Sequence, residues 1–483
     1  MNNKQRNPSC TFLYFLVLSC TLLLTGFLLF FRLGSTPLTN WDESWLASVS
    51  QNIATRGDWL GGQWNGQTWF YEPPLVTWKL AALYKIFGPS EFWLRSFNAL
   101  LGLGTIAALY LLVSSLFKNK FAAFLGVIIL LSDIEFLFRS RQINVEIPVT
   151  FFLFFTIYAI LKILSSPQPK WWIITGISLG LSFLTKRASP ILIFPAFLPI
   201  LLNKSLRAPH QRDVEISFLA AFFVVATPWY FLSYLRFGNQ FINEFFLGYT
   251  LGKIRSVNPG AGTDIWFYIT SLRHAFKFWF PLITPAIIWA TIKSFHDRKI
   301  AVLTIYIWTF LILLTFAPIK SSWFLLPIHP AIAVIIGLFI NNALERSDPG
   351  VRQGRTLINK RLYLIIGVLL LSALQIFRYR HDFIVPDTTG RQAALAKLAG
   401  QLTDPQNPIY LDDDYLPVAV FYGRRRVIPL RFNRLQPITP LPIPSGSYIL
   451  TNTETLPTLQ NNYPNILLIK EFADLILAQN RQS

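Results

Sequence analysis

Asp42 and Glu43 stand between Trp41 and Trp45 in the stretch Asn-Trp-Asp-Glu-Ser-Trp, shortly after a long apolar run. Glu72 precedes Pro73-Pro74, and Glu146 opens another apolar run. Arg139, Arg141, Lys186, Arg187 and Lys320 lie at the ends of further runs. Ionisable groups at membrane depth or at the ends of membrane helices are costly, so such residues are functional candidates by default. Carboxylates among cations suit a reaction in which an acceptor hydroxyl gives up a proton while an anionic phosphate departs. The base takes the proton, and Arg, Lys or a divalent ion holds the phosphate charge. Each residue also has a plain structural reading. Asp42, Glu43 and Glu146 are helix-start acids in that reading, and Lys186 is a side chain snorkelling at a membrane edge. The carboxylates permit Mg²⁺ or Mn²⁺ without requiring either.

The elements that must carry these residues are set by composition. Of 483 residues 53% are hydrophobic and only 14% charged, with mean hydropathy +0.43; a soluble domain carries about a quarter charged residues. Apolar runs recur near 11–31, 96–116, 121–138, 147–164, 171–184, 189–202, 214–235, 275–292, 300–317, 323–341 and 362–378. A helix of about 20 residues spans the hydrocarbon core. The chain therefore reads as a polytopic α-helical membrane protein with about 11–13 transmembrane helices. The net charge of +19 does not point to nucleic acid, because many Lys and Arg residues punctuate the apolar runs. Cys10 and Cys20 both fall in the first run, which excludes a disulfide framework or a cysteine metal site. That run is too long for a signal-peptide core and reads as a retained helix.

With the amino terminus inside, Lys118 and Lys120, Lys162 and Lys170, and Lys293 with Arg298 and Lys299 fall in inner loops. The nine candidate residues then fall on the outer side. The first outer loop, 32–95, reads as two short helices, Trp45 to Ile53 and one following Pro73-Pro74. Turn signals stand at Gly57-Asp58 and Asn65-Gly66, and the loop's many tryptophans favour the membrane interface. Residues 380–483 read as a small α/β extracytoplasmic domain: strands near 408–412, 427–430, 447–451 and 466–469, and a helix at 415–422 that Asp412 to Asp414 would cap. The domain division is thus 1–379 and 380–483.

These residues together resemble a known family, the C-type (GT-C) glycosyltransferases of the aminoarabinose transferase and protein O-mannosyltransferase-like group. The resemblance runs from Asp42-Glu43 through Ala47, Gly57-Asp58-Trp59, Asn65-Gly66 and Pro73-Pro74. It continues with Arg141, Glu146 (where the family carries Asp), Pro148 and Phe151-Phe152, and with Gly180-Leu-Ser-Phe-Leu-Thr-Lys186. Pro228-Trp229-Tyr230, Glu244-Phe245-Phe246 and Lys320-Ser-Ser-Trp-Phe-Leu-Leu-Pro327 complete the series, over about residues 36–335. The resemblance implies Asp42 as general base, with Glu43 and Glu146 near the acceptor or a metal. It implies Arg141, Lys186 and Lys320 at the phosphate of a polyprenyl-phosphate-linked sugar donor. Three departures bear on the donor. Tyr71-Glu72 stands where a Glu-Lys pair is usual, making Glu72 a candidate for a metal or the acceptor. Arg187 replaces a Gly and restores the lost positive charge, and Trp323 replaces a Tyr.

The activity this implies is transfer of one sugar from the lipid phosphate donor to a hydroxyl of a glycolipid, polysaccharide or protein. It would take place on the outer face of an inner membrane, with inversion, as in lipid A modification or protein glycosylation of the cell envelope. The alternative is a membrane transporter or lipid flippase whose pathway the same charges would line. A transporter is expected to show repeated halves and broken mid-membrane helices, and the sequence shows neither.

Overall fold

The computed structural model describes residues 19, 21–187, 189–203, 211–251, 264–346, 355–383, 387–431 and 441–481. Cys10 and Cys20 lie outside the described residues. Two compact units interleave along the sequence. The first comprises 1–31, 71–75 and 98–384; the second comprises 32–70, 76–97 and 385–483.

In chain order the helices of the first half are α1 (Thr21–Phe30), α2 (Asp42–Arg56), α3 (Leu75–Phe87), α4 (Glu91–Leu116), α5 (Lys120–Leu131), α6 (Ile134–Ser140), α7 (Glu146–Ser165) and α8 (Pro169–Phe183). Then come α9 (Gln211–Phe237), α10 (Phe267–Ser294), α11 (Arg298–Thr315), α12 (Ser322–Arg346) and α13 (Arg355–Arg378). In lipid every backbone polar group must be satisfied within the segment, so apolar runs of this length can only be helical. The molecule is a multi-span helical membrane protein. Seven described helices are long and apolar enough to cross a bilayer, or eight if the bent pair α5–α6 is one span. The expected segments 171–184 and 189–202 are helical but shorter: α8 has 15 residues, and 189–197 is a 3-10 turn broken by Pro195. Proline cannot donate to the helical ladder, and the run passes from 3-10 into α-helix at Leu198 and ends at Leu201.

In the first unit α8 packs on α9. A Cβ at Gly176 would strike the Phe218 carbonyl, and one at Gly180 would press on Val225; small residues four apart let the two backbones approach. α12 is the most enclosed of the spans and packs on α5. Helix α5 stops at Leu131, and α6 leaves at 70°. The corner is filled with polar bonds. Asp133 caps α6 by accepting from the Phe136 amide at 2.9 Å, and its other oxygen is 2.7 Å from His329 Nδ1. Trp279 Nε1 donates to Ser132 Oγ at 2.9 Å, and Gln375 Nε2 donates to the Ser132 carbonyl at 2.5 Å.

The second unit joins the first outer segment to the carboxy-terminal residues. Asn65-Gly66 turns the hairpin β1 (Gln63–Trp64)–β2 (Gln67–Thr68), both turn residues having positive φ as a type I′ turn requires. Strands β3 (Ile409–Leu411), β4 (Val427–Pro429), β5 (Tyr448–Asn452), β6 (Ile466–Phe472) and β7 (Leu475–Asn480) form one sheet in the order β4-β3-β5-β7-β6. β4, β3 and β5 are parallel, and β5, β7 and β6 are antiparallel. Tyr410, Leu430, Ile449, Leu459, Ile466 and Ile476 build the core on the sheet. Helices α14 (Gly390–Leu402), α15 (Leu416–Gly423) and α16 (Leu456–Asn462) complete the unit, and α15 packs on both α14 and α2. Strand β7 and helices α14 and α16 are additions to the expected elements. The aspartate run serves differently from expectation. Asp412 is buried against Arg431 at 2.6 Å and accepts from Thr451 Oγ1 at 3.1 Å, while Tyr415 at the start of α15 makes no side-chain cap bond. The tryptophans also divide: Trp41, Trp59 and Trp93 are exposed, whereas Trp45 packs its ring on Trp64 and Trp69.

Candidate active site

In the second unit the loop before α2 is held by one arginine. Arg95, fully buried near the start of α4, donates Nε to Glu43 Oε1 at 2.8 Å and Nη2 to Glu43 Oε2 at 2.7 Å. It also donates to the carbonyls of Leu33 (3.0 Å), Thr36 (2.9 Å) and Pro37 (2.9 Å). Glu43 additionally accepts from the Thr39 amide at 2.8 Å and from Thr39 Oγ1 at 3.0 Å. A two-pronged guanidinium–carboxylate pair has strong directional preference. Both Glu43 oxygens are engaged in a buried network that braces the loop. Asp42 is placed otherwise: it is the first residue of α2, with its side chain exposed. Neighbouring residues thus have opposite environments, one sealed and one open to solvent. Asp42 does not cap α2; that position is taken by Trp41, whose φ of 62° is uncommon for a residue bearing a Cβ.

In the first unit four of the expected residues come together. The end of α8 presents Lys186 and Arg187, the start of α7 presents Glu146, and the segment 71–75 presents Glu72. The Leu75 amide donates to the Leu184 carbonyl at 2.9 Å, which ties that segment to the end of α8. Lys186 Nζ donates to Glu146 Oε1 at 2.9 Å. Arg187 Nε lies 3.8 Å from Glu72 Oε2, and its guanidinium faces the Tyr71 ring at 5.2 Å and the Phe245 ring at 5.5 Å. Glu146 also meets the positive end of the α7 dipole. The Glu72 carboxyl is pushed up to about 7: burial raises it, Arg187 and Lys186 pull it down, and Glu146 raises it again. It therefore titrates near neutrality.

Aromatic rings back the cations. Lys186 Nζ lies 4.9 Å from the Phe324 ring, and the Arg139 guanidinium 4.3 Å from the Trp323 ring. Arg139 also pairs with Glu135 at 3.0 Å. Lys320, half-buried, donates to the Asp264 carbonyl at 3.0 Å. Arg141 is buried and donates to the Leu28, Leu29 (3.1 Å) and Phe31 (2.7 Å) carbonyls. The last carbonyls of a helix have no partners within it, and Arg141 donates to those at the end of α1. Among the described residues no group of three or more His, Cys, Asp or Glu is arranged to hold a metal. Glu72 and Glu146 each face a cation, Arg187 and Lys186 respectively.

Sequence reading missed Arg95 and the Asp133–His329 pair. A single arginine just inside an apolar run was the available signal for Arg95. Asp133 and His329 carried none, since their partnership spans 196 residues.

Comparison with known proteins gives a consistent result. Residues 71–231 match the family described as dolichyl-phosphate-mannose-protein mannosyltransferase. An uncharacterised protein of Aquifex aeolicus (strain VF5) is 27% identical over 320 residues, 65% of this chain and 62% of its own length. The undecaprenyl phosphate-alpha-4-amino-4-deoxy-L-arabinose arabinosyl transferase of Pseudomonas aeruginosa PAO1 is 24% identical over 379 residues, 75% of this chain and 66% of its own. The chain thus spans just under two thirds of the length of both relatives. The crystal structure of ArnT from Cupriavidus metallidurans bound to undecaprenyl phosphate superposes with a TM-score of 0.76 at 17% identity, covering 96% of this chain and 98% of that one. That last likeness is one of fold, and it extends through both units. With the family match inside 71–231, it makes the chain similar in fold, and in part of its sequence, to C-type (GT-C) glycosyltransferases of the aminoarabinose transferase-like group.

Proposed function

We propose that this protein transfers one sugar from a polyprenyl monophosphate to a hydroxyl acceptor, with inversion at the anomeric carbon. The observation that carries the reading is the pairing of Lys186 with Glu146 and of Arg187 with Glu72, within the segment that matches the mannosyltransferase family. Lys186 and Arg187 receive the donor phosphate, with Lys320 and Arg139 contributing further positive charge. The exposed carboxylate of Asp42 takes the acceptor hydroxyl proton. The acceptor oxygen bonds to C1 of the sugar, and the C1–O bond to phosphate breaks with its electron pair. The charge left on the phosphate is stabilised by the two cations, already desolvated and oriented by their carboxylate partners. Glu146 and Glu72 hold the cations in the absence of donor and line the acceptor side when it binds. Glu43 and Arg141 support this chemistry only by fixing the loop before α2 and the end of α1.

The relatives' printed activity supports a lipid-linked pentose or hexose donor, and the acceptor is a glycolipid, polysaccharide or protein. The protein sits in the inner (plasma) membrane, with the site, the loop 32–95 and the domain 380–483 on the extracytoplasmic side. The transporter alternative draws no support from these relatives, which are named as transferases.

The test presents purified protein in detergent with a panel of radiolabelled polyprenyl-phosphate sugars and a membrane extract as acceptor source. Wild type should consume one donor, and folded Asp42→Asn should not. Lys186→Met should lower kcat/KM by about 10- to 100-fold, since bonds to charged groups contribute about 1.5–3 kcal/mol. Consumption of no donor by wild type, even with extract, would refute the reading.

A further inference from the structure

The carboxy-terminal domain has no assigned task in sugar transfer, yet within the second unit its side chains reach the backbone on which Asp42 stands. Tyr422, on α15, accepts from the Leu38 amide at 2.8 Å and donates to Glu91 Oε1 at 2.9 Å. Thr389 Oγ1, just before α14, donates to the Leu38 carbonyl at 2.8 Å. Both polar groups of one peptide-chain residue are therefore held by the domain. Asn40 Nδ2 adds a third bond, donated to the Asp414 carbonyl at 2.9 Å. Leu38, Tyr422 and Thr389 are all buried, so these bonds are shielded from exchange with water. From the other side Arg95 grips Leu33, Thr36, Pro37 and Glu43.

A backbone held at this many points can keep a costly conformation. Trp41, directly before Asp42, has φ 62° and ψ −113°. Such geometry costs on the order of 1–3 kcal/mol and persists only where the surroundings over-determine it. Strain of this kind is found where a side chain has to be aimed. Asp42 is exposed and lies at the start of a helix, a place where an unbraced loop would fray.

We propose that the carboxy-terminal domain is a positioning element for the catalytic base: Tyr422 and Thr389 fix Leu38, and through it the direction in which Asp42 is presented. This rests on the reading of Asp42 as the base. Tyr422 and Thr389 are positioning residues; neither is assigned contact with substrate. The hydroxyl of Tyr422 is the specific agent. Its ring also packs on Phe421 at 4.8 Å and lies under Lys397 Nζ at 4.9 Å, contacts that a phenylalanine retains.

The experiment uses the full chain in detergent and the variants Tyr422→Phe, Thr389→Val and Asp42→Asn, with Tyr422→Phe/Asp42→Asn as a double variant. Amide hydrogen exchange over residues 33–43 is followed beside donor turnover. The proposal expects faster exchange at Leu38 in Tyr422→Phe. It also expects kcat about tenfold lower with unchanged KM for the donor, as a small misplacement of a reacting group predicts. The double variant should be no slower than Asp42→Asn alone, because a residue acting through Asp42 has nothing to act on once the carboxylate is gone. Where that background shows no turnover, exchange and the kcat–KM split decide. Thr389→Val should reproduce the pattern and serves alone should Tyr422→Phe fail to fold. Unchanged exchange at Leu38, unchanged kcat, or a loss that persists in the Asp42→Asn background would each overturn the proposal. Equal turnover by wild type and Asp42→Asn would show instead that the base assignment is wrong, and the proposal would fall with it.

Discussion

Adjacent carboxylates at 42 and 43 look alike in sequence and are opposites in structure. Glu43 is sealed against Arg95, while Asp42 is open. Breaking a buried ion pair strands an uncompensated charge, at a cost of about 3–5 kcal/mol. Arg95→Met should therefore lower the thermal unfolding midpoint sharply, and adding Glu43→Gln should recover part of the loss; equal midpoints for the single and double variants would contradict the assignment. Glu72 makes a pH prediction. Its folded-state carboxyl, at about 7, lies above the ordinary value of 4.5, so the folded protein binds the proton more tightly. The stability it lends is present at low pH and is lost as pH rises through about 7. Wild type should lose stability relative to Glu72→Gln between about 4.5 and about 7, measured as the difference in unfolding midpoint across that range. At this scale Glu146 and Lys186 were legible because they stand in the family series, whereas Arg187 was legible as a departure from it, and the three meet with Glu72. Arg141 stood out as a candidate, but its bonds to the end of α1 were not legible, since those carbonyls lie more than a hundred residues away.

Among elements, the corner between α5 and α6 shows what periodicity leaves out. A continuous apolar run at 121–138 reads as one helix, but Ser132 and Asp133 offer the backbone alternative partners and Asp133 starts a new helix at 70° to the old one. His329, at the head of the helical part of α12, completes the corner from across the sequence. Asp133→Ala removes both the cap of α6 and the partner of His329, and should cost about 2–4 kcal/mol. Because α6 carries Arg139 to the Trp323 ring, the same variant should raise the donor KM; a stability loss with unchanged KM would show that the corner serves the fold alone. The turn at Asn65-Gly66 and the helix after Pro73-Pro74 were readable from local chemistry, though the two short strands flanking the turn were not. Strand β7 was not, because Leu475 to Asn480 gains its identity from pairing with β5 and β6.

For the whole molecule, hydropathy located the helical segments, and proline and length decided which of them qualify as full spans. What it could not convey is the interleaving. Residues 32–70 and 76–97 belong with 385–483, and contacts across such separations leave no local trace in a sequence. That arrangement imposes an order on biosynthesis. The Leu38 peptide emerges early, but Tyr422 and Thr389, which hold it, follow only after residues 98–384 have been made. At about 5–20 residues per second the interval is roughly 20–70 s. Throughout it the loop bearing Asp42 lacks both partners, so under the positioning role proposed above a nascent chain is inactive by timing alone, and one that stalls before Thr389 keeps Leu38 unheld.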